Sequence, residues 1–87
     1  MSVLLITYDL NKPDKDYSGL YKKLKSYNYT MLCESSYAIE TNDTPDVVYE
    51  NLRTCFDIND HLFILTIKSP WKGWGLEKVK KWLLQRL

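Results

Sequence analysis

Two strand-like segments of this 87-residue chain are apolar at both odd and even positions. One covers Ser2–Tyr8 and the other covers His61–Ile67. Because successive side chains of a strand point to opposite faces, such segments belong in a sheet that is buried on both faces. A chain of this length forms one domain with one modest core and has few elements to supply that cover. The pattern therefore predicts a small α/β domain that works as a dimer or larger assembly.

Helix and strand patterns alternate along the rest of the chain. The predicted elements after the first strand are a helix over Tyr17–Tyr27, strands over Tyr29–Cys33 and Tyr37–Thr41, a helix over Pro45–Phe56, the strand over His61–Ile67 and a helix over Leu76–Leu87. One long bent strand is the alternative for the two middle strands. Asp16 is the expected N-cap of the first helix, and Thr44 is that of the second, where Pro45 takes the first helical position.

This order of elements matches a ferredoxin-like βαββαβ sandwich with an additional C-terminal helix, spanning residues 1–87 as one domain. In that α/β (α+β) topology, right-handed crossovers place the first and third strands at the centre and the fourth at an edge. The two crossover helices cover one face of the sheet only. The other face and the apolar edge strand then require the last helix, a second subunit, or both.

The composition narrows the class of protein. With 45% apolar residues the chain can fill a packed core, so global disorder is not expected. No apolar run approaches the length of a membrane span, and no signal-peptide pattern opens the chain, which predicts a cytoplasmic protein with no membrane partner. Cys33 and Cys55 lie among apolar neighbours and, with one histidine, do not make a zinc site. Both are expected to be small buried core residues.

Charge is unevenly distributed along the chain. Residues 1–28 contain five Lys and three Asp, residues 29–66 contain seven acids and Arg53, and residues 67–87 contain six basic residues and Glu77. The basic ends are consistent with nucleic-acid binding. Complementary surfaces in a homo-oligomer and ordinary solvated helix faces explain them equally well.

Asp9 is the most informative acid, because it ends the strand predicted to lie at the centre of the sheet. Ligands of α/β sheets usually bind at such strand ends. A carboxylate there either holds a divalent metal together with a twofold-related copy, or accepts backbone N–H groups of the following turn. Position alone favours the turn role. His61, the only histidine, has no identifiable catalytic partner and is expected to begin the last strand as a half-exposed structural residue.

Aromatic and basic side chains offer a second kind of site. The seven tyrosines, with Trp71 and Trp74, could stack bases, although the periodicity places most of them in the core or an interface. Phosphates near Asp9 could be neutralised by Lys12, Lys15, Lys22, Lys23 and Lys25. Gly73-Trp74-Gly75 is too short for a phosphate-binding loop and is expected to form a tight turn before the last helix.

Several motifs occur together in a familiar arrangement. The first strand ends in Tyr8-Asp9-Leu10, a basic helix follows, and a polar-Ser-apolar segment covers Ser36–Ile39. This combination resembles the CRISPR-associated protein 2 superfamily, which includes the VapD-type toxin ribonucleases. The closer resemblance is to small SinR-like proteins of unknown function. The segments that carry it are TYDLNKPDKDY at Thr7–Tyr17, ESSY at Glu34–Tyr37, FDINDHL at Phe56–Leu62 and GWGL at Gly73–Leu76.

The resemblance implies a ferredoxin-like homodimer in which the aspartate that ends the first strand binds Mg²⁺ across the dimer axis and is catalytic. That aspartate matches Asp9, and the family's serine matches Ser36. Lysines replace the family's arginines at the start of the first helix, and Tyr37-Ala38 follows Ser36 where the family has phenylalanine. The residues expected to contact nucleic acid are Lys12, Lys15, Lys22, Lys23 and Ser36.

Three functions are consistent with these features. The first is a Mg²⁺-dependent endoribonuclease or related phosphodiesterase acting through two Asp9 side chains. The second is a non-catalytic module that binds nucleic acid, a nucleotide or a partner protein, as would suit a phage or mobile-element accessory factor. The third is a purely structural homo-oligomer.

Overall fold

In the computed structural model, which describes all 87 residues, an antiparallel sheet of four strands is combined with three α-helices in one α+β domain. The strands are β1 (Ser2–Asp9), β2 (Asn28–Cys33), β3 (Ser36–Thr41) and β4 (His61–Ile67), and the helices are α1 (Ser18–Lys25), α2 (Pro45–Leu52) and α3 (Glu77–Leu84). A single 3₁₀ turn at Arg53–Cys55 extends α2. The order of elements is the one predicted from the sequence.

The strand order in the sheet is β2–β3–β1–β4, and every neighbouring pair is antiparallel. β1 and β3 therefore lie at the centre and β4 lies at an edge, as the sequence predicts. β2 and β3 are two separate strands joined by a short turn, with a register shift between Met31 and Cys33. The alternative of one long bent strand is therefore wrong.

The main core lies between one face of the sheet and helices α1 and α2. Nine buried side chains form it: Leu4, Ile6, Tyr8, Leu20, Leu24, Tyr37, Ile39, Val48 and Leu52. Residues four apart on one face of each helix supply Leu20 and Leu24 from α1 and Val48 and Leu52 from α2. Tyr8 keeps its hydroxyl satisfied inside this core by donating to the carbonyl oxygen of Glu34 at 2.9 Å. Burial of this apolar surface fixes both crossover helices on one side of the sheet.

The opposite face of the sheet is covered in part by α3. A second buried cluster joins Val3 and Ala38 of the central strands to Val79 and Leu83 of α3. Two polar contacts involving residues of the C-terminal segment accompany it. Trp82 Nε1 donates to Asn28 Oδ1 at 3.4 Å, and Arg86 Nε donates to Glu40 Oε1 at 3.3 Å. The Arg86 guanidinium also stacks on the ring of Trp82, 4.1 Å from its centroid.

The remaining part of this face carries exposed apolar side chains. Phe63 of β4 is 65% exposed and Leu65 is 48% exposed. Leu65 is paired with Leu5 of β1, which is half-buried on the same face. We call these three residues the β4 patch. Within one chain, the sheet is therefore buried on both faces only in the part that α3 covers.

Four local expectations are corrected by the structure. Asp16 is not the N-cap of α1, because Tyr17 takes that position and Asp16 lies one residue before it. Asp16 Oδ1 accepts a hydrogen bond from the backbone N–H of Ser18 at 2.9 Å. Cys33 is exposed because it follows the register shift on edge strand β2, and Cys55 is half-buried in the 3₁₀ turn. The segment around Gly73-Trp74-Gly75 is irregular with one bend rather than a tight turn, and no glycine has a positive φ.

Thr44 begins α2 as predicted, with Thr44 Oγ1 accepting from the backbone N–H of Val47 at 3.4 Å and Pro45 at the first helical position. We expect Thr44→Ala to lower the free energy of unfolding by about 1 kcal/mol, because one N-terminal N–H loses its acceptor. Urea unfolding followed by circular dichroism measures the effect. Thr44→Ser, which keeps the hydroxyl, is the matched control. Equal stability of Thr44→Ala and the wild type would contradict the capping role.

None of the three helices combines the length and the apolar character that crossing a bilayer requires.

Candidate functional site

Asp9 is the last residue of β1 and is exposed. It is paired with His61, the first residue of β4, which is exposed as well. Because successive side chains of a strand point to opposite faces, Asp9 lies on the same face of the sheet as Thr7 and Leu5. This is the face opposite the main core. The carboxylate therefore lies at one end of the sheet face that α3 leaves open.

Hydroxyl groups continue from Asp9 along the same face. Thr7 lies two residues away, about 7 Å along the strand. Its Oγ1 is 3.0 Å from Oγ of Ser36 on neighbouring β3, a hydrogen bond in which either hydroxyl can donate. Ser36, a residue singled out from the sequence, is thus brought to the same surface as Asp9.

Cys33 adds a thiol to this surface, because its partner across the β2–β3 ladder is Ser36. Hydrogen bonds from the Ser36 side chain and the Ser35 backbone lower the pKa of the Cys33 thiol. Sequence reasoning missed this residue, since an apolar neighbourhood along the chain indicated burial. Together, Asp9, Thr7, Ser36 and Cys33 form a polar strip across three strands, which we call the Asp9 strip.

The turn after β1 is held by side chains rather than by backbone donors to Asp9. Asn11 Nδ2 lies 3.2 Å from Asp9 Oδ2 and 2.9 Å from the carbonyl oxygen of Asn59, and can donate to both. The backbone N–H of Asn11 donates to Asp60 Oδ1 at 2.6 Å. Asp9 thus accepts one side-chain hydrogen bond, and the expected backbone N–H bonds to its carboxylate are absent. The turn is closed mainly by Asp60.

Asp60 is the central acceptor of this end of the molecule. Besides Asn11, the Tyr17 hydroxyl donates to Asp60 Oδ2 at 2.7 Å, and the backbone N–H of Asp57 donates to the same oxygen at 2.7 Å. Three segments therefore meet at one carboxylate: the turn after β1, the start of α1 and the loop before β4. In the sequence, residues 57–60 stand out only as part of the FDINDHL segment between the second helix and the last strand. The concentration of Asp and Asn there was the available signal for a turn that binds its own backbone.

These hydrogen bonds shift two pKa values in opposite directions. Partial desolvation of Asp60 acts to raise the pKa of its carboxyl, but the donors Asn11, Asp57 and Tyr17 outweigh it and lower that pKa below its ordinary value. Desolvation, followed by the hydrogen bond to Asp60, raises the pKa of Tyr17 to about 12. Tyr17 therefore remains a hydrogen-bond donor throughout the physiological range.

We expect Asp60→Ala to lower the free energy of unfolding by about 2 kcal/mol, because it removes a charged acceptor from three donors. Since the folded-state pKa of Asp60 is lowered, its ionised form contributes stability above the ordinary pKa of about 3.8 and loses that contribution as the pH falls through the folded value. Asp60→Ala should therefore weaken the acid dependence of unfolding. Denaturant unfolding between pH 2.5 and 7 measures both effects. The control is Asp14→Ala, which removes an exposed acid from the loop between β1 and α1. Its stability and acid dependence of unfolding should match those of the wild type.

The four lysines predicted to bind nucleic acid do not gather at Asp9. Lys12 forms a 3.7 Å salt bridge with Asp57, and the Lys15 ammonium lies 5.3 Å from the centroid of the Tyr17 ring, both in the loop after β1. Lys22 and Lys23 belong to α1, and Lys23 Nζ donates to the carbonyl oxygen of Asn51 in α2 at 2.8 Å. Because α1 covers the opposite face of the sheet, only Lys12 and Lys15 share the loop that adjoins Asp9.

No group of three or more His, Cys, Asp or Glu side chains is arranged to hold a metal ion. The chemistry of the Asp9 strip nevertheless suits Mg²⁺, which binds oxygen and is usually held by one or two carboxylates completed by water and substrate phosphates. Asp9 provides one exposed carboxylate, and the Thr7 and Ser36 hydroxyls are oxygen donors on the same face. A second carboxylate would come from Asp9 of a second copy.

Comparison with known proteins gives no match to a protein-family model, a curated protein or a solved structure.

Proposed function

We propose that this chain is a ferredoxin-like homodimer that cleaves RNA with Mg²⁺ bound between two Asp9 side chains. The observation that carries the proposal is the position of Asp9. It is an exposed carboxylate at the end of a central strand, on the sheet face that the helices leave open, beside the hydroxyl pair of Thr7 and Ser36.

A ferredoxin-like assignment is supported by the strand order β2–β3–β1–β4 with all neighbours antiparallel. The same assignment accounts for both crossover helices packing into one core with Leu4, Ile6 and Tyr8 of β1. It also leaves α3 as an addition to the basic pattern, in agreement with its separate cluster on the opposite face.

The β4 patch supports the dimer. Phe63 and Leu65 form an exposed apolar surface on edge strand β4, where a lone chain would favour charged residues, and Leu5 of the neighbouring β1 extends it. A twofold axis that passes close to Asp9, with two patches packed face to face, brings the two carboxylates together. Edge-to-edge pairing of β4 would instead carry them to opposite ends of the combined sheet. The proposal therefore requires face-to-face packing.

Three side chains of the Asp9 strip, with Asn11 beside them, would have tasks in hydrolysis of a phosphodiester. Mg²⁺, when bound, would supply stabilisation of charge on the phosphate and activation of water. Asp9 would hold the cation, and Asn11 fixes one of the Asp9 carboxylate oxygens. The Thr7 and Ser36 hydroxyls offer donors to a phosphate oxygen. Lys12 and Lys15 attract the phosphate backbone towards the same end of the sheet.

A non-catalytic binding module is the second candidate, and a specific observation favours it. The Asp9 carboxylate has no hydrogen-bonded basic partner, and Lys12 is already paired with Asp57. Cleavage assisted by general acid–base catalysis needs a positioned proton donor for the leaving group, and no basic side chain is hydrogen-bonded at Asp9 to supply one. In this case the same dimer would hold nucleic acid, a nucleotide or a partner protein without cleaving it, as a phage or mobile-element accessory factor would.

Purified wild-type protein incubated with a panel of structured RNAs, with Mg²⁺, Mn²⁺ or EDTA, tests the proposal. We expect cleavage with either metal and none with EDTA. Isothermal titration of each metal into the protein should show one ion per dimer. A protein that neither cleaves RNA nor binds either metal would overturn the enzyme proposal and leave the binding module.

A further inference from the structure

The largest cavity of the molecule lies towards the end of β1 opposite Asp9. It is a groove of about 540 Å³ between the sheet, residues 68–76 and α3. Its floor is apolar, with Leu5, Val79 and Leu83 among the lining residues, and Trp71 and Trp74 lie in its loop wall. We call it the Trp groove. Its volume is in the range of pockets that hold small organic ligands.

The two tryptophans of the groove differ in how firmly they are held. Trp71 is half-buried and packs against the cluster that contains Val79 and Leu83. Trp74 is fully exposed, and a side chain added at the adjacent Gly75 would meet no atom within 4 Å. Trp71 therefore anchors the loop, while both faces of the Trp74 indole are free to contact a ligand.

The groove is also a positively charged surface. Lysines are the only charged residues among those that line it, namely Lys68, Lys72 and Lys80. Lys80 is paired with Glu77 at 3.4 Å, but Lys68 and Lys72 are exposed and take part in none of the four salt bridges of the chain. Two uncompensated cations thus stand beside an exposed indole.

We propose that the Trp groove binds single-stranded nucleic acid, with a base stacked on Trp74 and phosphates beside Lys68 and Lys72. An exposed aromatic face next to a basic groove is the arrangement by which proteins hold single strands without reading their sequence. Stacking uses the π-face that every base has, and each lysine neutralises one phosphate. An unstacked base can place its apolar ring face against the floor of the groove, whereas a simple anion has no apolar surface to place there.

A second copy of this chain is a poorer occupant. The β4 patch, through which two chains would pack, borders the groove and shares Leu5 with it, but it offers no acid to Lys68 or Lys72. The groove begins about 14 Å from Asp9, four residues along β1. Its occupation needs neither metal nor cleavage, so this inference goes beyond the proposed function and does not rest on it.

Fluorescence anisotropy with labelled 12-nucleotide oligo(U) and oligo(dT) in EDTA tests the inference. We expect Trp74→Ala to weaken binding about tenfold, because one stacked base is lost. Trp74→Phe should restore most of the affinity, since it keeps an aromatic face. The double variant Lys68→Ala/Lys72→Ala should also weaken binding and should reduce the slope of log affinity against log salt by about 1.4. Tighter binding of oligo(U) would indicate RNA as the natural ligand, and tighter binding of oligo(dT) would indicate DNA.

Lys78→Ala, which removes an exposed lysine of α3 outside the groove lining, is the matched control and should bind as the wild type does. EDTA removes the Mg²⁺ that the proposed cleavage site needs, which separates binding in the groove from the proposed cleavage. Thermal melting confirms that each variant is folded. A wild type that binds neither oligonucleotide, or a Trp74→Ala variant with unchanged affinity, would overturn the inference. So would a Trp74→Ala variant that loses dimerisation in sedimentation while nucleic-acid affinity is kept.

Discussion

Asp9→Asn is expected to abolish Mg²⁺-stimulated RNA cleavage while the dimer remains intact. Asparagine has nearly the same shape and can still pair with Asn11, but it lacks the charge that holds a hard cation. Loss of a metal that stabilises the transition state by ~4 kcal/mol corresponds to about a thousandfold slower cleavage. Cleavage rates at saturating Mg²⁺ and sedimentation equilibrium of the same preparation measure the two parts of the expectation.

The matched control for this variant is Asp14→Asn, which changes an exposed acid in the loop that follows and should cleave at the wild-type rate. If Asp9→Asn cleaves as fast as the wild type, Asp9 serves only to order the turn. Asparagine would replace aspartate there with little effect, because the two residues are similar turn formers.

Leu65→Lys is expected to raise the dimer dissociation constant at least a hundredfold. In the proposed face-to-face dimer, the substitution places a cation in each half of a symmetric apolar contact, and ~3 kcal/mol of lost binding corresponds to that factor. The chain itself should remain folded, because Leu65 is already 48% exposed on an edge strand where lysine is well tolerated. Sedimentation equilibrium over a range of protein concentrations measures the change.

Ile58→Lys is the control for Leu65→Lys, since Ile58 is 96% exposed but lies in the loop before β4, outside the patch. It should leave the dimer unchanged. A Leu65→Lys variant as dimeric as the wild type would exclude the β4 patch as the interface, and a monomeric wild type would remove the symmetric Asp9 site. Under our proposal, Leu65→Lys should also lose cleavage without any change at Asp9.

Local patterns with strong stereochemical requirements predicted the fold well. Thr44 and Pro45 start a helix because one supplies a hydrogen-bond acceptor and the other a fixed φ, and both act within one turn of the chain. The β1 pattern likewise indicated a central strand with apolar residues on both faces. The sheet order followed from these elements and from the right-handed crossover rule.

Tertiary contacts explain what the sequence did not predict. Cys33 lies among apolar neighbours in the chain, yet the register shift on an edge strand exposes it. Asp60 accepts from residues 3, 43 and 49 positions away, and no local pattern specifies such partners. The last helix was predicted from the sequence, but the extent of the sheet that α3 covers depends on where the loop at residues 68–76 directs it.

Cys33 also gives this protein a convenient position for chemical labelling. Thiolate is the form that reacts with maleimides, and Cys33 is exposed with a lowered pKa, whereas Cys55 is half-buried in the 3₁₀ turn. A fluorophore should therefore attach at Cys33 before it attaches at Cys55, without any engineered cysteine. Because Cys33 is paired with Ser36, which is paired in turn with Thr7, the dye would sit two strands from Asp9 at the same end of the sheet and report on what approaches that end of the molecule.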